Sequence, residues 1–135
     1  MNRAAAPAVV DASVFLDALT PCARRQAARR ALEAVEPIAP ASVDVEVLSA
    51  LARLERSGQL ATREADAAIA SWVEADIERV EIRAVVPEAW AMRAAVRPAD
   101  GLYVALAGGL ALPLVTSDAR LARAPIRGVT FTVVT

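Results

Sequence analysis

Four carboxylates, Asp11, Glu46, Asp100 and Asp118, have a sequence context that could give them chemistry to do. Asp11 follows the apolar run AVV (8–10), and Asp118 follows PLVT (113–116). Each precedes a segment with helical spacing, so each also has an ordinary reading as a helix N-cap. Asp100 is more unusual, because it is the only charge between Arg97 and Asp118 in PADGLYVALAGGLALPLVTS. A helix that is apolar all round is a buried helix, and a bare buried carboxylate costs several kcal/mol or more. Its helix N-terminus offsets only part of that, roughly 0.3–1 kcal/mol; a nearby cation offsets far more. Glu46 lies in the first turns of a helix beginning near Ser42. Taken alone, it reads as a flank residue, solvated or paired with Arg53 or Arg56.

Other chemistries are excluded by composition. The chain of 135 residues has no histidine, and all 15 basic residues are Arg. Triads, His-bound zinc, P-loop lysines and Schiff bases are therefore absent. Cys22 is the single cysteine, which leaves neither a disulfide framework nor a Cys pair for metal. Carboxylates crowded together without His or Lys repel one another and hold protons more tightly. Mg²⁺ relieves this, since it prefers oxygen ligands and keeps several waters. An acidic Mg²⁺ site is suited to phosphodiester hydrolysis by activated water. The formal net charge of −1 gives no general attraction for nucleic acid, so such binding has to come from local arginines.

Elements that would position these groups alternate between strand and helix. Strands are predicted at 8–10, 38–40, 80–85, 113–116 and 129–134. Helices are predicted at 12–19, from Thr20-Pro21 through Glu33, from Ser42 to Gly58, and from Thr62 to Trp72 or Asp76. Two more run from Pro87 to near Arg97 and from Pro98 to about Leu110, with a short one in DARLAR. This alternation predicts an α/β fold, a parallel sheet covered on both sides. Residues just after its strands gather on one edge, where ligands bind. The length, 56% apolar residues and 23% charged fit one compact domain over 1–135. No apolar stretch suits a membrane helix or a secretory signal, so a cytoplasmic protein is expected.

The segments VVDASVFLDAL (9–19), EVLSALARLERSG (46–58) and RPADGLYVALAGGLALPLVTSDARLARA (97–124) resemble PIN-domain proteins, specifically VapC-type toxins. The resemblance implies a three-layer α/β/α sandwich with a central parallel sheet of about five strands. It implies an endoribonuclease whose Asp11, Glu46, Asp100 and Asp118 hold Mg²⁺, or Mn²⁺ in its place. Ser13 and Thr116 match the hydroxyl residues beside that quartet. A cognate VapB-type antitoxin, an RNA substrate and a homodimer are implied as partners. The chain departs from the family pattern at Ala99-Asp100-Gly101, where Tyr-Asp-Ala is common, and at Gly108, where an acid is common. Arg24, Arg25, Arg29 and Arg30 form a basic stretch that reads as RNA contact or as a solvated face. Val14, Phe15 and Leu16 read as apolar surface for a partner. The competing readings are a catalytically inactive PIN-fold module that binds RNA or protein, and a haloacid-dehalogenase-like phosphatase. The phosphatase needs a second Asp where Ser13 stands, and a receiver domain needs a lysine this chain lacks.

Overall fold

The computed structural model describes residues 4–135. Five short strands form one parallel sheet in the order β3-β2-β1-β4-β5. These are β1 (Ala6–Val10), β2 (Val35–Pro40), β3 (Glu78–Val80), β4 (Leu114–Thr116) and β5 (Phe131–Val133). Strand β1 is central and pairs Val9 with Ile38 on one side and Val10 with Val115 on the other. Val9 and Val10 are fully buried, as expected of a parallel strand covered on both faces.

The chain walks outward from β1 to β3, then crosses back to place β4 on the other side of β1. Right-handed crossovers in opposite directions put their helices on opposite faces. Helices α1 (Ala12–Leu19), α2 (Arg25–Glu33), α3 (Val43–Arg56) and α4 (Thr62–Glu74) pack together as one layer. Helices α5 (Val86–Ala91) and α6 (Pro98–Leu110) form the other, with α6 lying against β1, β2 and β4. The short α7 (Ala119–Ala122) rests on β4 and β5. The direction of winding therefore reverses beside β1, between β1 and β4. Among the described residues no helix is long and apolar enough to cross a membrane.

Several boundaries differ from the sequence expectation. Helix α2 starts at Arg25, not at Thr20-Pro21. The Thr20 hydroxyl donates back to the Leu16 carbonyl at 2.8 Å, so it closes α1 and does not open α2. The expected strand 80–85 is β3 at Glu78–Val80 followed by a 3₁₀ turn at Arg83–Val85. Its partner β2 ends at Pro40, which pairs with Val80, so residues beyond Val80 have no strand of β2 to pair with. Helix α5 ends at Ala91, well before Arg97. Gly58 does close the turn after α3, with φ +78, a conformation glycine adopts without a Cβ clash.

One polar clamp fixes the start of α3. Asp44 accepts from Arg79 Nε and, at 2.9 Å, from the Arg79 Nη2 group. It also accepts from Trp72 Nε1 at 2.9 Å. The arginine fork gives two parallel bonds and fixed geometry, so α3 is tied to α4 and β3 two residues before Glu46. Arg79 holds the Asp44 carboxyl below its usual pKa.

Candidate active site

Asp11, Glu46, Asp100 and Asp118 line one open groove of about 610 Å³. It lies beyond the carboxyl ends of β1 and β4, at the reversal of strand order where α/β sheets bind ligands. The winding of the sheet therefore brings together residues from positions 11 to 118. A groove of similar size, about 620 Å³, lies at the opposite ends of the strands over Phe15, Trp72 and Ile77. Size does not choose between them, and the second is also lined by carboxylates, the exposed Glu33, Glu36, Asp76 and Glu78. Of the two, only the first holds a buried carboxylate gripped by hydroxyls, Asp11.

Asp11 is buried, at 5% exposure, and its side chain caps nothing. It accepts instead from Ser13 Oγ at 2.6 Å and from Thr116 Oγ1 at 2.9 Å. Both bonds fall on Oδ2, so Oδ1 carries neither. The hydroxyls are themselves held: the Ser117 amide donates to Ser13 Oγ at 3.0 Å, and the Asp118 amide to Thr116 Oγ1 at 3.0 Å. This chain of bonds stitches the end of β4 to the start of α1 and fixes the carboxylate orientation. Burial raises the Asp11 pKa; the two hydroxyl bonds oppose that, and the Asp100 charge adds to it.

Glu46 is half-buried, and Oε1 is fully enclosed without a hydrogen bond of regular geometry. The Tyr103 hydroxyl is enclosed in the same way and lies beside the carboxylate. Burial pushes the Glu46 pKa up to about 7; Tyr103 opposes this, while the Asp11 and Asp100 charges reinforce it. The same surroundings raise the Tyr103 pKa, so the phenol stays protonated and able to donate. Asp100 stands at the start of α6 and accepts from Arg97 Nε at 3.2 Å. Asp118 does what an N-cap does, accepting from the Arg120 and Leu121 amides at 2.9 and 3.3 Å. Both of those bonds use Oδ1, leaving Oδ2 outside the cap.

Among the described residues no three carboxylates are close enough to form a closed metal cage. The Asp100 charge raises the pKa of both Asp11 and Glu46, and the Asp11 charge raises that of Glu46; Asp118 is not among the charges felt by either. The arrangement is open. Mg²⁺ fits such a site, because it reaches its six ligands by keeping waters. The donor set is all oxygen, and an enclosed carboxylate oxygen still lacks a partner, so the residues present suit a hard cation.

The metal-free protein is expected to lose stability as pH rises from about 4.5 through about 7, the ordinary and shifted pKa values of Glu46. In that window the folded state binds more protons than the unfolded one, so unfolding becomes easier as pH increases. Melting temperatures at pH 5 and pH 8 check this. Glu46→Gln is expected to flatten the difference, and equal slopes in parent and variant would contradict it.

The apolar surface expected at Val14, Phe15 and Leu16 needs correction, and the basic stretch, expected as RNA contact or as a solvated face, lies apart from the groove. Arg24, Arg25, Arg29 and Arg30 do not line the acidic groove. Arg24 pairs with Asp17 at 2.9 Å, and Arg29 Nε donates to the Ala18 carbonyl at 3.1 Å. Arg25 and Arg29 line a separate depression against α4. The late start of α2 is one reason: the stretch spans a turn and a helix, not one basic face. Val14 and Phe15 are buried in the core, at 0% and 3% exposure, and only Leu16 of that trio lines the groove. The groove's own arginines are Arg53 and Arg97. These and Tyr103 were missed as site residues. A signal existed for Tyr103, the one hydroxyl on α6, placed one turn after Asp100.

Both departures from the family pattern have a structural context. A Cβ at Gly101 would meet the Ala89 carbonyl oxygen at 3.2 Å and its Cα at 3.3 Å, so glycine allows α5 and α6 to approach closely. Gly108 is exposed near the far end of α6 and outside the groove.

A family model described as PIN domain matches residues 8–126, and the chain belongs to that family. Its relatives within the family are VapC ribonucleases. Ribonuclease VapC3 of Mycobacterium tuberculosis is 42% identical over 117 residues, 86% of this chain and 85% of that protein. Ribonuclease VapC12 of the same organism is 31% identical over 115 residues, 85% of this chain and 89% of that one. The fold is shared with the crystal structure of M. tuberculosis VapC20, a sarcin–ricin loop cleaving toxin. That match has TM-score 0.68 at 17% identity, covering 90% of this chain and 98% of the other.

Proposed function

We propose that this chain is a metal-dependent endoribonuclease, the toxin of a toxin–antitoxin pair, with residues 1–135 forming one PIN domain. The observation that carries the site assignment is the set of four carboxylates on one groove at the switch point, with Asp11 held by Ser13 and Thr116. Asp11, Glu46, Asp100 and Asp118 hold Mg²⁺, or Mn²⁺ in its place. These residues would place such a cation beside the scissile phosphate, where it would supply positive charge and lower the pKa of a bound water enough to yield hydroxide near neutral pH. The Ser13 and Thr116 hydroxyls keep Asp11 in one orientation, and such outer partners tune a metal ligand. The Tyr103 hydroxyl beside Glu46 favours its charged, ligating form. Arg97 balances Asp100 at the groove mouth. In-line attack leaves 5′-phosphate and 3′-hydroxyl ends.

Partners complete the reading: a VapB-type antitoxin that silences the enzyme, and a second copy in a homodimer. Val45, Leu48, Val73 and Trp90 are apolar and each more than half exposed, which leaves surface for such contacts. Purified, antitoxin-free protein is expected to cut a total RNA pool in Mg²⁺, to stop in EDTA and to resume when Mg²⁺ is restored. RNA left intact at every Mg²⁺ and Mn²⁺ concentration would overturn the nuclease reading and favour an inactive binding module.

A further inference from the structure

The acidic groove does not end at the carboxylates. Arg53 on α3 lines it together with Asp11, Glu46, Arg97 and Asp100. A smaller groove of about 230 Å³ shares Arg97, Asp100 and Asp118 with it and continues over α7 to Arg120. The shared residues make the two one channel, acidic at the middle, with Arg53 on one arm and Arg120 on the other.

Without a cation, a strand of RNA meets repulsion from the carboxylates at the centre, and the net charge of −1 adds no attraction. Affinity for phosphates that does not depend on metal has to come from the arms. Arg53 is exposed and in no ion pair among the described residues. Arg120 is 85% exposed, with Nε 4.0 Å from Asp118 Oδ1, and an exposed pair at that separation holds its partner weakly. Both guanidinium groups are available. Arg97 is closer to the centre and tied to Asp100. The basic stretch at 24–30 lies elsewhere, with Arg24 and Arg29 already bonded.

We infer that Arg53 and Arg120 bind phosphates of one RNA strand on opposite sides of the scissile bond, laying the strand along the channel. The occupant is single-stranded, since grooves of this size hold a few nucleotides and not a helix. Phosphate contacts of this kind set register and carry no sequence information. The inference rests on the nuclease reading and adds the residues that seat its substrate.

Fluorescence anisotropy with a short single-stranded oligoribonucleotide, across a salt series, tests it in an Asp11→Asn background. Arg53→Gln and Arg120→Gln are each expected to weaken binding about fivefold and to reduce the log–log salt slope by about 0.7, the share of one phosphate on a single strand. Arg24→Gln and Arg30→Gln are expected to change neither. A double Arg53→Gln, Arg120→Gln variant with the parent's affinity and slope overturns the channel. So does an equal loss of slope in Arg24→Gln or Arg30→Gln. RNA cleavage by the unsubstituted protein, measured in parallel, separates the two claims. Cleavage with an unchanged slope in the double variant refutes the channel alone; lost slope without cleavage refutes the nuclease alone. A parent that fails to bind the oligonucleotide at low salt refutes the channel, and refutes the nuclease as well only when the unsubstituted protein also leaves RNA uncut.

Discussion

Asp11→Asn is expected to lower RNA cleavage by more than about 10²-fold, because it removes a ligand charge while keeping the side chain's shape. The amide oxygen can still accept from Ser13 Oγ and Thr116 Oγ1, now at 2.6 and 2.9 Å from Oδ2, so local structure survives. What is lost is a negative charge at the most buried carboxylate of the groove. Removing an outer-shell partner of a metal ligand typically costs 10–100-fold, and Ser13→Ala or Thr116→Ala belongs in that range. The ligand itself should cost more. Stability of the metal-free variant is expected to hold or rise, since an enclosed carboxylate is costly to keep charged. Steady-state cleavage rates beside melting temperatures check both parts. A well-folded Asp11→Asn protein cutting within tenfold of the parent removes Asp11 from the mechanism.

Phe15→Ala is expected to destabilise the fold by about 3–5 kcal/mol, the usual range for deleting a buried aromatic ring. Phe15 is 3% exposed and meets the edge of Trp72, with ring centroids 5.2 Å apart at 67°. Trp72 in turn donates to Asp44, so the cavity would open beside the clamp that holds α3 to α4 and β3. Domains of this kind are stable by only about 5–15 kcal/mol in total, and a loss of this size removes a large share. The urea midpoint should fall with little change in slope. An unchanged midpoint would mean the ring is not a core residue, and would return it to the partner surface the sequence suggested.

That reversal illustrates where the chain was legible and where it was not. The order of strands and helices could be read because β1, β2 and β4 are short, mostly apolar runs bounded by turn residues. Chain position alone then put Asp11 and Asp118 at strand ends. Asp100 was legible as a lone charge in an apolar helix. The extent of a strand was not, since β3 stops where β2 stops, and no local pattern in VEIRAV records its partner's length. Arg24 to Arg30 looked like a basic face, yet Asp17 and the Ala18 carbonyl, brought close by the turn between α1 and α2, take up Arg24 and Arg29. The bond from Thr116 to Asp11 spans 105 positions, and the Tyr103–Glu46 encounter joins helices of different layers. Contacts of that range belong to tertiary structure. Local spacing can nominate their members but not pair them.

The central claim is that these carboxylates hold a divalent cation, and calorimetric titration with Mn²⁺ tests it without relying on RNA. The parent protein is expected to bind Mn²⁺, and Asp11→Asn and Asp100→Asn are each expected to weaken that binding at least tenfold, the lower bound typical of disturbing even an outer partner. Binding of equal strength in the parent and both variants would contradict the account.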